Sequence, residues 1–130
     1  MQKKIPFILI GVARSGTTSL AKILDQSTNG QCIIEPTPNL NIETRKSMDG
    51  LIKDHKILLE NTILKRIREN TINNKIIYGE KNVTYGPFIN DIFKQILCRF
   101  VFIHRDGRDV VQSLINWHNL KSLILIVYFW

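Results

Sequence analysis

The 130-residue chain is 44% hydrophobic and 22% charged, which is ordinary for a globular protein and sufficient for one domain with one core. Its formal net charge of +7 favours an anionic partner, but nucleic acid is disfavoured because basic residues form neither a run nor a patch interleaved with aromatic residues. No stretch reaches the ~18 apolar residues of a membrane span, and no Cys/His cluster has metal-ligand spacing, so we expect neither a span nor a metal site.

Two features of the sequence favour a cytoplasmic protein. Two lysines followed by an apolar run resemble a signal peptide, but this run leads directly into a glycine loop and a helix that cleavage after Ala13 would destroy. Cys32 and Cys98 each lie beside an apolar run, which favours buried, reduced thiols over a disulfide.

The segment 6–20 predicts a strand, a glycine loop and the start of a helix. The apolar run at residues 8–10 is typical of a buried parallel strand, and apolar residues then recur at helical spacing. Gly11 and Gly16 bracket a loop whose backbone can approach a ligand closely. Because the N–H groups and the positive end of the helix point at this loop, it favours a phosphate or a sulfate.

This loop differs from a nucleoside-triphosphate P-loop at one informative position. The P-loop pattern has a lysine directly after the second glycine, but here Thr17 occupies that position and Thr18 keeps the hydroxyl. The cation lies within the loop instead, at Arg14. The pattern therefore predicts a loop that holds a smaller anion beside an arginine, without the lysine that grips β- and γ-phosphates.

A second predicted strand, over residues 31–34, leads into a turn that begins with Glu35. In open α/β sheets the carboxyl edge is where ligands bind, so this carboxylate is a candidate general base for a hydroxyl or amine acceptor. A solvated turn residue is the alternative reading of Glu35.

Residues 43–71 predict polar helices that share one apolar stripe, and we expect Gly50 to divide them into a short helix and a longer one. The members of the stripe are Leu51, Ile52, Leu58, Leu59, Ile63, Leu64 and Ile67. We expect the basic residues of this segment, including Arg66, to lie on a solvated face, and His55 to be a surface residue as well.

The rest of the chain predicts two more strands, each followed by a helix. A third strand is expected over residues 75–78, an amphipathic helix over 88–97 and a buried fourth strand over 100–103. The last helix, over 108–116, is expected to be capped by Asp106, and His104 is expected to be packed.

Arg105 is expected at the carboxyl end of the fourth strand, and Ser113 almost two turns into the last helix. An arginine offers a forked, permanently charged contact to a phosphate, and a serine hydroxyl adds a donor from the neighbouring helix. The pair therefore forms a second candidate anion site.

The two motifs together resemble those of the sulfotransferases that use PAPS (3′-phosphoadenosine 5′-phosphosulfate). Residues 14–18, Arg-Ser-Gly-Thr-Thr, resemble the 5′-phosphosulfate loop, and the segment from Arg105 to Ser113 resembles the 3′-phosphate motif with Gly107 replacing a proline. This family has a P-loop NTPase-like fold. We accordingly expect a three-layer α/β/α domain with a mostly parallel sheet of four or five strands.

The resemblance also implies roles for single residues. The residues that would hold the 5′-phosphosulfate are Arg14, Ser15, Gly16, Thr17 and Thr18. Arg14 would also neutralise charge as the S–O bond breaks, while Arg105 and Ser113 would hold the 3′-phosphate, which ATP lacks. The implied reaction is sulfuryl transfer from PAPS, without a metal, to a hydroxyl or amine of a small molecule or glycan.

Two further positions resemble the glycan-modifying sulfotransferases. Glu35, followed by a proline, matches their general base, and Lys81 would be a second cation near the transferred group, with Glu80 as a rival base. The cytosolic small-molecule branch has a catalytic histidine after the third strand, and this sequence has none there.

The C-terminal segment leaves alternatives open. Residues 123–130 are all apolar or aromatic and predict either one more buried strand or an exposed apolar patch. Because sulfotransferases usually continue past this point, we expect a single domain over residues 1–130 that is incomplete at its C-terminus. Two rival readings remain. One is a P-loop kinase or hydrolase, which would need the lysine that Thr17 replaces and an aspartate that holds magnesium; the other is a truncated nucleotide-binding fragment without activity.

Overall fold

The computed structural model describes residues 4–73 and 76–118, and its four strands form one parallel sheet. The strands are β1 (Phe7–Gly11), β2 (Gly30–Ile34), β3 (Ile77–Lys81) and β4 (Arg99–Ile103). Their order across the sheet is β2-β3-β1-β4, so that β1 pairs with β3 on one side and with β4 on the other. The predicted α/β class with a parallel sheet is confirmed for the described residues.

Helices cover both faces of this sheet. They are α1 (Thr17–Asp25), α2 (Asn41–Met48), α3 (Lys56–Asn61), α4 (Ile63–Asn73), α5 (Ile89–Gln95) and α6 (Gly107–His118). Ile8 and Ile10 of β1 belong to the larger apolar core with α3, α4 and α5, whereas Leu9 packs on the opposite face against Ala21 of α1. The layering is consistent with a three-layer α/β/α fold. No helix in the described ranges is long and apolar enough to cross a membrane.

The apolar stripe predicted in the helical segment is correct in its second half and wrong at its start. Leu59, Ile63, Leu64 and Ile67 are fully buried in the larger core. Leu51 is 73% exposed, because α2 ends before Gly50, which takes a φ of 72°, and the next helix begins only at Lys56. The helical spacing of apolar residues therefore does not extend across the non-helical segment between α2 and α3.

The third strand lies further along the chain than predicted. It runs from Ile77 to Lys81, whereas the sequence predicted residues 75–78 and placed Glu80 and Lys81 after the strand. The charged pair suggested a loop, but both side chains are buried in the strand because each has an oppositely charged partner. Lys75 lies outside the described residues.

The predictions for the fourth strand and its flanks were partly wrong. β4 is only partly buried, with Phe102 largely exposed, and within the described ranges it pairs with β1 alone. The helix predicted over 88–97 begins with a 3₁₀ turn and ends at Gln95, and His104 is exposed instead of packed. The apolar segment 123–130 lies outside the described residues.

Both cysteines are buried free thiols, as predicted. Burial raises the pKa of the Cys32 thiol to about 11 and that of the Cys98 thiol to about 12. The reactive thiolate is therefore scarce at neutral pH in the folded protein.

We expect both thiols to resist alkylation in the native protein. At pH 8 their reaction with iodoacetamide should be slower than that of an ordinary exposed thiol by roughly 100-fold or more, because only the thiolate reacts. Mass spectrometry of intact protein, native and in urea, measures this difference. Fast alkylation of either cysteine in the native state would contradict the buried positions.

A second prediction concerns Gly79, which lies in β3 directly beneath the ring of Phe7. A Cβ atom built on Gly79 would overlap that ring, whereas one built on Gly86 meets nothing. Gly79→Ala should lower the free energy of unfolding by about 1–3 kcal/mol, the usual cost of overpacking a core. Urea unfolding measures it, with Gly86→Ala as the control, and Phe7→Leu should reduce the loss. Equal effects of the two glycine substitutions would argue against the contact.

Candidate functional site

At the carboxyl edge of the sheet, the connections that follow β1 and β3 leave in opposite directions. The connection from β1 continues into α1 on one face, while the connection from β3 leads to Phe88 and α5 on the other face. In parallel sheets, a ligand crevice forms where neighbouring connections leave in opposite directions. The predicted site residues Arg14, Glu35 and Lys81 all lie at this edge.

The loop between β1 and α1 is tightly turned. The Ser15 N–H donates to the Val12 carbonyl at 3.1 Å, and Gly16 adopts a φ of 99° before α1 begins. A Cβ atom at Gly11 would come within 2.8 Å of the Ile103 carbonyl and of the Ser15 Oγ. Glycine is needed at position 11 because the loop and the end of β4 approach its backbone so closely.

Ser15 carries an unused hydrogen-bonding group inside this loop. Its side-chain oxygen is the one buried side-chain nitrogen or oxygen in residues 4–73 and 76–118 that has no hydrogen-bond partner, and the residue is only 7% exposed. A buried polar group without a partner costs about 1–3 kcal/mol, so this hydroxyl is available to a water molecule or to an anion in the loop. Thr17 is also buried, whereas Thr18 faces solvent.

The structure brings the two anion motifs together. Because Gly11 of β1 pairs with Ile103 of β4, the residues that follow these strands are neighbours. The Arg14 Nε donates to the Ser113 Oγ at 3.1 Å, and the Arg105 Nη1 donates to the Arg14 carbonyl at 3.1 Å. The guanidinium of Arg14 also lies 5.7 Å from the ring centroid of Trp117.

The start of α6 supports these contacts. Asp106 accepts from the backbone N–H of Arg108 and forms an ion pair with its guanidinium, as the capping prediction required. Asp109 lies in the first turn of α6, and its carboxylate is 3.8 Å from the Arg105 Nε. The side chain of Arg105 is thereby held at the end of β4.

Glu35 and Lys81 form one ion pair at the same edge, on the β3 side of β1. The Lys81 Nζ donates to the Glu35 Oε1 at 2.7 Å, and the two backbones are joined by the Glu35 N–H and the Lys81 carbonyl. The Lys81 side chain is 4% exposed, but that of Glu35 is 57% exposed. The buried ammonium thus fixes a carboxylate that remains open to solvent.

Backbone strain occurs at two of the predicted catalytic residues. Arg14, with a φ of 68°, and Glu35, with a φ of 49°, are the non-glycine residues with positive φ in the part of the chain that the structure describes. Strained conformations cluster at functional sites because the surrounding structure must hold them in place.

Sequence reasoning missed a buried network behind this edge. Glu80 is fully buried and accepts two contacts from Arg66, at 3.1 and 3.2 Å, together with the hydroxyls of Tyr78 and Tyr85, each at 2.9 Å. The expectation that Arg66 lies on a solvated face was wrong. Glu80, expected as a rival base, is out of reach of any acceptor in solvent.

A signal for this network was present in the sequence. Arg66 lies three residues after Ile63, so a helix places it on the same face as the buried stripe. Tyr78 and Glu80 are two residues apart, so a strand places both on one face. Burial, reinforced by the charge of Glu80, raises the pKa of both tyrosines, so their hydroxyls stay protonated and donate. The Arg66 Nη1 also donates to the Thr37 carbonyl, which ties the network to the turn after Glu35.

The prediction that His55 is a surface residue was also wrong. Its side chain is 11% exposed, and its two ring nitrogens contact Ser47 and Asp91. These contacts link α2, the start of α3 and α5. Among the described residues, no group of three or more His, Cys, Asp or Glu side chains is arranged to hold a metal ion.

Comparisons with models of protein families, with curated proteins and with solved structures found no match. The resemblance to sulfotransferases therefore rests on the short sequence motifs alone.

We expect Arg66 to be essential for stability. Arg66→Ala leaves the Glu80 carboxylate buried without its countercharge and should cost about 3–5 kcal/mol of unfolding free energy. The control is Arg68→Ala in the same helix, because Arg68 pairs with Glu60 at the surface and such pairs contribute little. Chemical denaturation measures both variants, and similar losses would contradict the buried network.

Proposed function

We propose that this chain is a PAPS-dependent sulfotransferase domain that transfers a sulfuryl group to a hydroxyl or an amine. The observation that carries the proposal is that Arg14 forms hydrogen bonds with Ser113 and Arg105, which are 99 and 91 residues away in sequence. One nucleotide with charged groups at both its 5′ and 3′ positions needs two anion sites that lie side by side.

The loop after β1 suits the 5′-phosphosulfate chemically. It supplies the N-terminus of α1, whose first turn has no acidic residue, and the buried hydroxyl of Ser15. Backbone N–H groups and the helix dipole favour an anion there. A bound sulfate or phosphate oxygen would give the Ser15 Oγ the hydrogen bond that it lacks.

Arg105 and Ser113 suit the 3′-phosphate. Arg105 precedes α6 and Ser113 lies in the middle of this helix, and both contact Arg14 at distances of 3.1 Å. In these contacts a guanidinium donates to a neutral oxygen, and a phosphate would offer Arg105 a stronger, negatively charged acceptor. The Arg14 guanidinium would then be free to turn toward the charge that develops on the 5′ side.

PAPS, when bound, supplies the sulfuryl group and a phosphate leaving group. Arg14 would stabilise negative charge on the oxygen that leaves, which is the main electrostatic demand of such a transfer. Glu35 would accept the proton of the acceptor hydroxyl or amine. Lys81 would orient the Glu35 carboxylate through their 2.7 Å contact.

We expect PAP, the desulfated cofactor, to bind more tightly than ADP or AMP without magnesium. Arg105→Ala should weaken PAP binding by roughly 10- to 100-fold, which corresponds to the 1.5–3 kcal/mol of a hydrogen bond to a charged group. ADP binding should change little, because ADP has no 3′-phosphate. Isothermal titration calorimetry measures both nucleotides.

Arg99→Ala is the matched control, because this substitution removes the same charge at the opposite end of β4. Equal binding of PAP and ADP, or loss of PAP affinity in both variants, would contradict a 3′-phosphate site. Magnesium-dependent binding of ATP would support a P-loop nucleotide enzyme instead.

A further inference from the structure

A hydrogen-bonded series of Ser47, His55 and Asp91 lies in the helical layer. The Ser47 Oγ is 2.6 Å from the His55 Nε2, and the His55 Nδ1 is 2.7 Å from the Asp91 Oδ2. Ser47 lies in the last turn of α2, His55 directly precedes α3, and Asp91 lies in the first turn of α5. Each ring nitrogen therefore has the partner that a serine–histidine–aspartate triad requires.

The contacts determine what the imidazole can do. A carboxylate only accepts hydrogen bonds, so the proton of a neutral His55 ring lies on Nδ1 and faces Asp91. The lone pair of Nε2 then faces the Ser47 hydroxyl and can take its proton. The ring is held in this orientation by an edge-on contact with Phe88, at 5.0 Å between ring centroids and an interplanar angle of 81°.

A cavity of about 240 Å³ adjoins the series. His55 and Asp91 form part of its wall, together with the charged residues Lys53, Asp54, Lys56 and Lys94. The three ammonium groups face two carboxylates, Asp54 and Asp91, and the Lys94 Nζ lies 3.7 Å from the Asp91 Oδ1, so the balance of the wall is one positive charge. Ser47 is partly exposed and lies outside this wall, next to the His55 ring, so the cavity suits the negatively charged end of a small substrate whose ester group reaches past His55 to Ser47.

We propose that Ser47 is an activated nucleophile for small carboxylic esters that carry a negative charge. The Ser47 Oγ forms a bond to the ester carbonyl carbon, and His55 Nε2 takes the hydroxyl proton. The bond from that carbon to the alcohol oxygen breaks, and the alcohol leaves with the proton from His55. Water then hydrolyses the acyl group from Ser47, releasing the carboxylic acid and restoring the hydroxyl.

This site shares no residue with the proposed sulfuryl-transfer site. Its residues belong to α2, α5 and the start of α3, whereas the anion motifs belong to the loop after β1 and to α6. Either assignment can therefore fail without affecting the other. A purely structural role, in which the three side chains only join the helices, is the alternative that the experiment must separate.

The first experiment is labelling with a small alkyl fluorophosphonate, followed by peptide mapping. We expect one phosphonyl group on Ser47, because Oγ attacks phosphorus, fluoride leaves and His55 takes the proton. Ser47→Ala should abolish the label, and Asp91→Asn should slow labelling by about 100-fold, within the range of general-base contributions. His104→Gln, far along the chain and exposed, is the control and should label at the normal rate.

The second experiment compares a neutral acetate ester with a succinate monoester of the same chromogenic alcohol. We expect the anionic ester to be cleaved at least tenfold faster, and Ser47→Ala to remove the difference. An unlabelled Ser47 in the natural protein overturns the proposal, whatever the substitutions do to stability. Labelling that Asp91→Asn leaves unchanged also overturns it, since the series would then be a structural link only.

Discussion

A buried ion pair holds the helical layer, the sheet and the turn behind the candidate site in one arrangement. Glu80 of β3 is fully buried, and Arg66 of α4 binds it through two nitrogens while Tyr78 and Tyr85 donate to the same carboxylate. A carboxylate buried without such partners would bear its full desolvation cost, so these elements must keep their relative positions. Because Arg66 also contacts the Thr37 carbonyl, the constraint reaches the turn that follows Glu35.

The central position of β1 in the sheet is the second feature that fixes where the residues of the candidate site lie. With β3 on one side and β4 on the other, the parallel strands bring the ends of three separate chain segments to one edge. The side next to β4 collects Arg14, Arg105 and Ser113, and the side next to β3 carries the Glu35–Lys81 pair. The strained backbone at Arg14 and Glu35 is tolerated because both residues are anchored by strands that cannot shift.

Local signals predicted the elements, whereas partners distant in sequence decided the details. The first strand, its glycine loop and α1 follow from apolar periodicity and two glycines, and they were predicted correctly. Periodicity treats every charged residue as exposed, so it failed for Arg66 and His55, whose partners are 14 and 36 residues away. The two anion motifs were visible in the sequence, but the contact between Arg14 and Ser113 depends on the register of β1 against β4.

The Arg14–Ser113 contact has a consequence for how the domain assembles. Its two residues are separated by most of the chain, and only the docking of β4 beside β1 brings them together. Closing so long a loop carries an entropic cost, so the contact forms after the sheet and not before it. An anion that contacts both the loop after β1 and the residues around α6 would hold β4 and α6 against the rest of the sheet. The free energy of binding would then add to the free energy of unfolding. The protection of β4 amides from hydrogen exchange would therefore rise with ligand concentration.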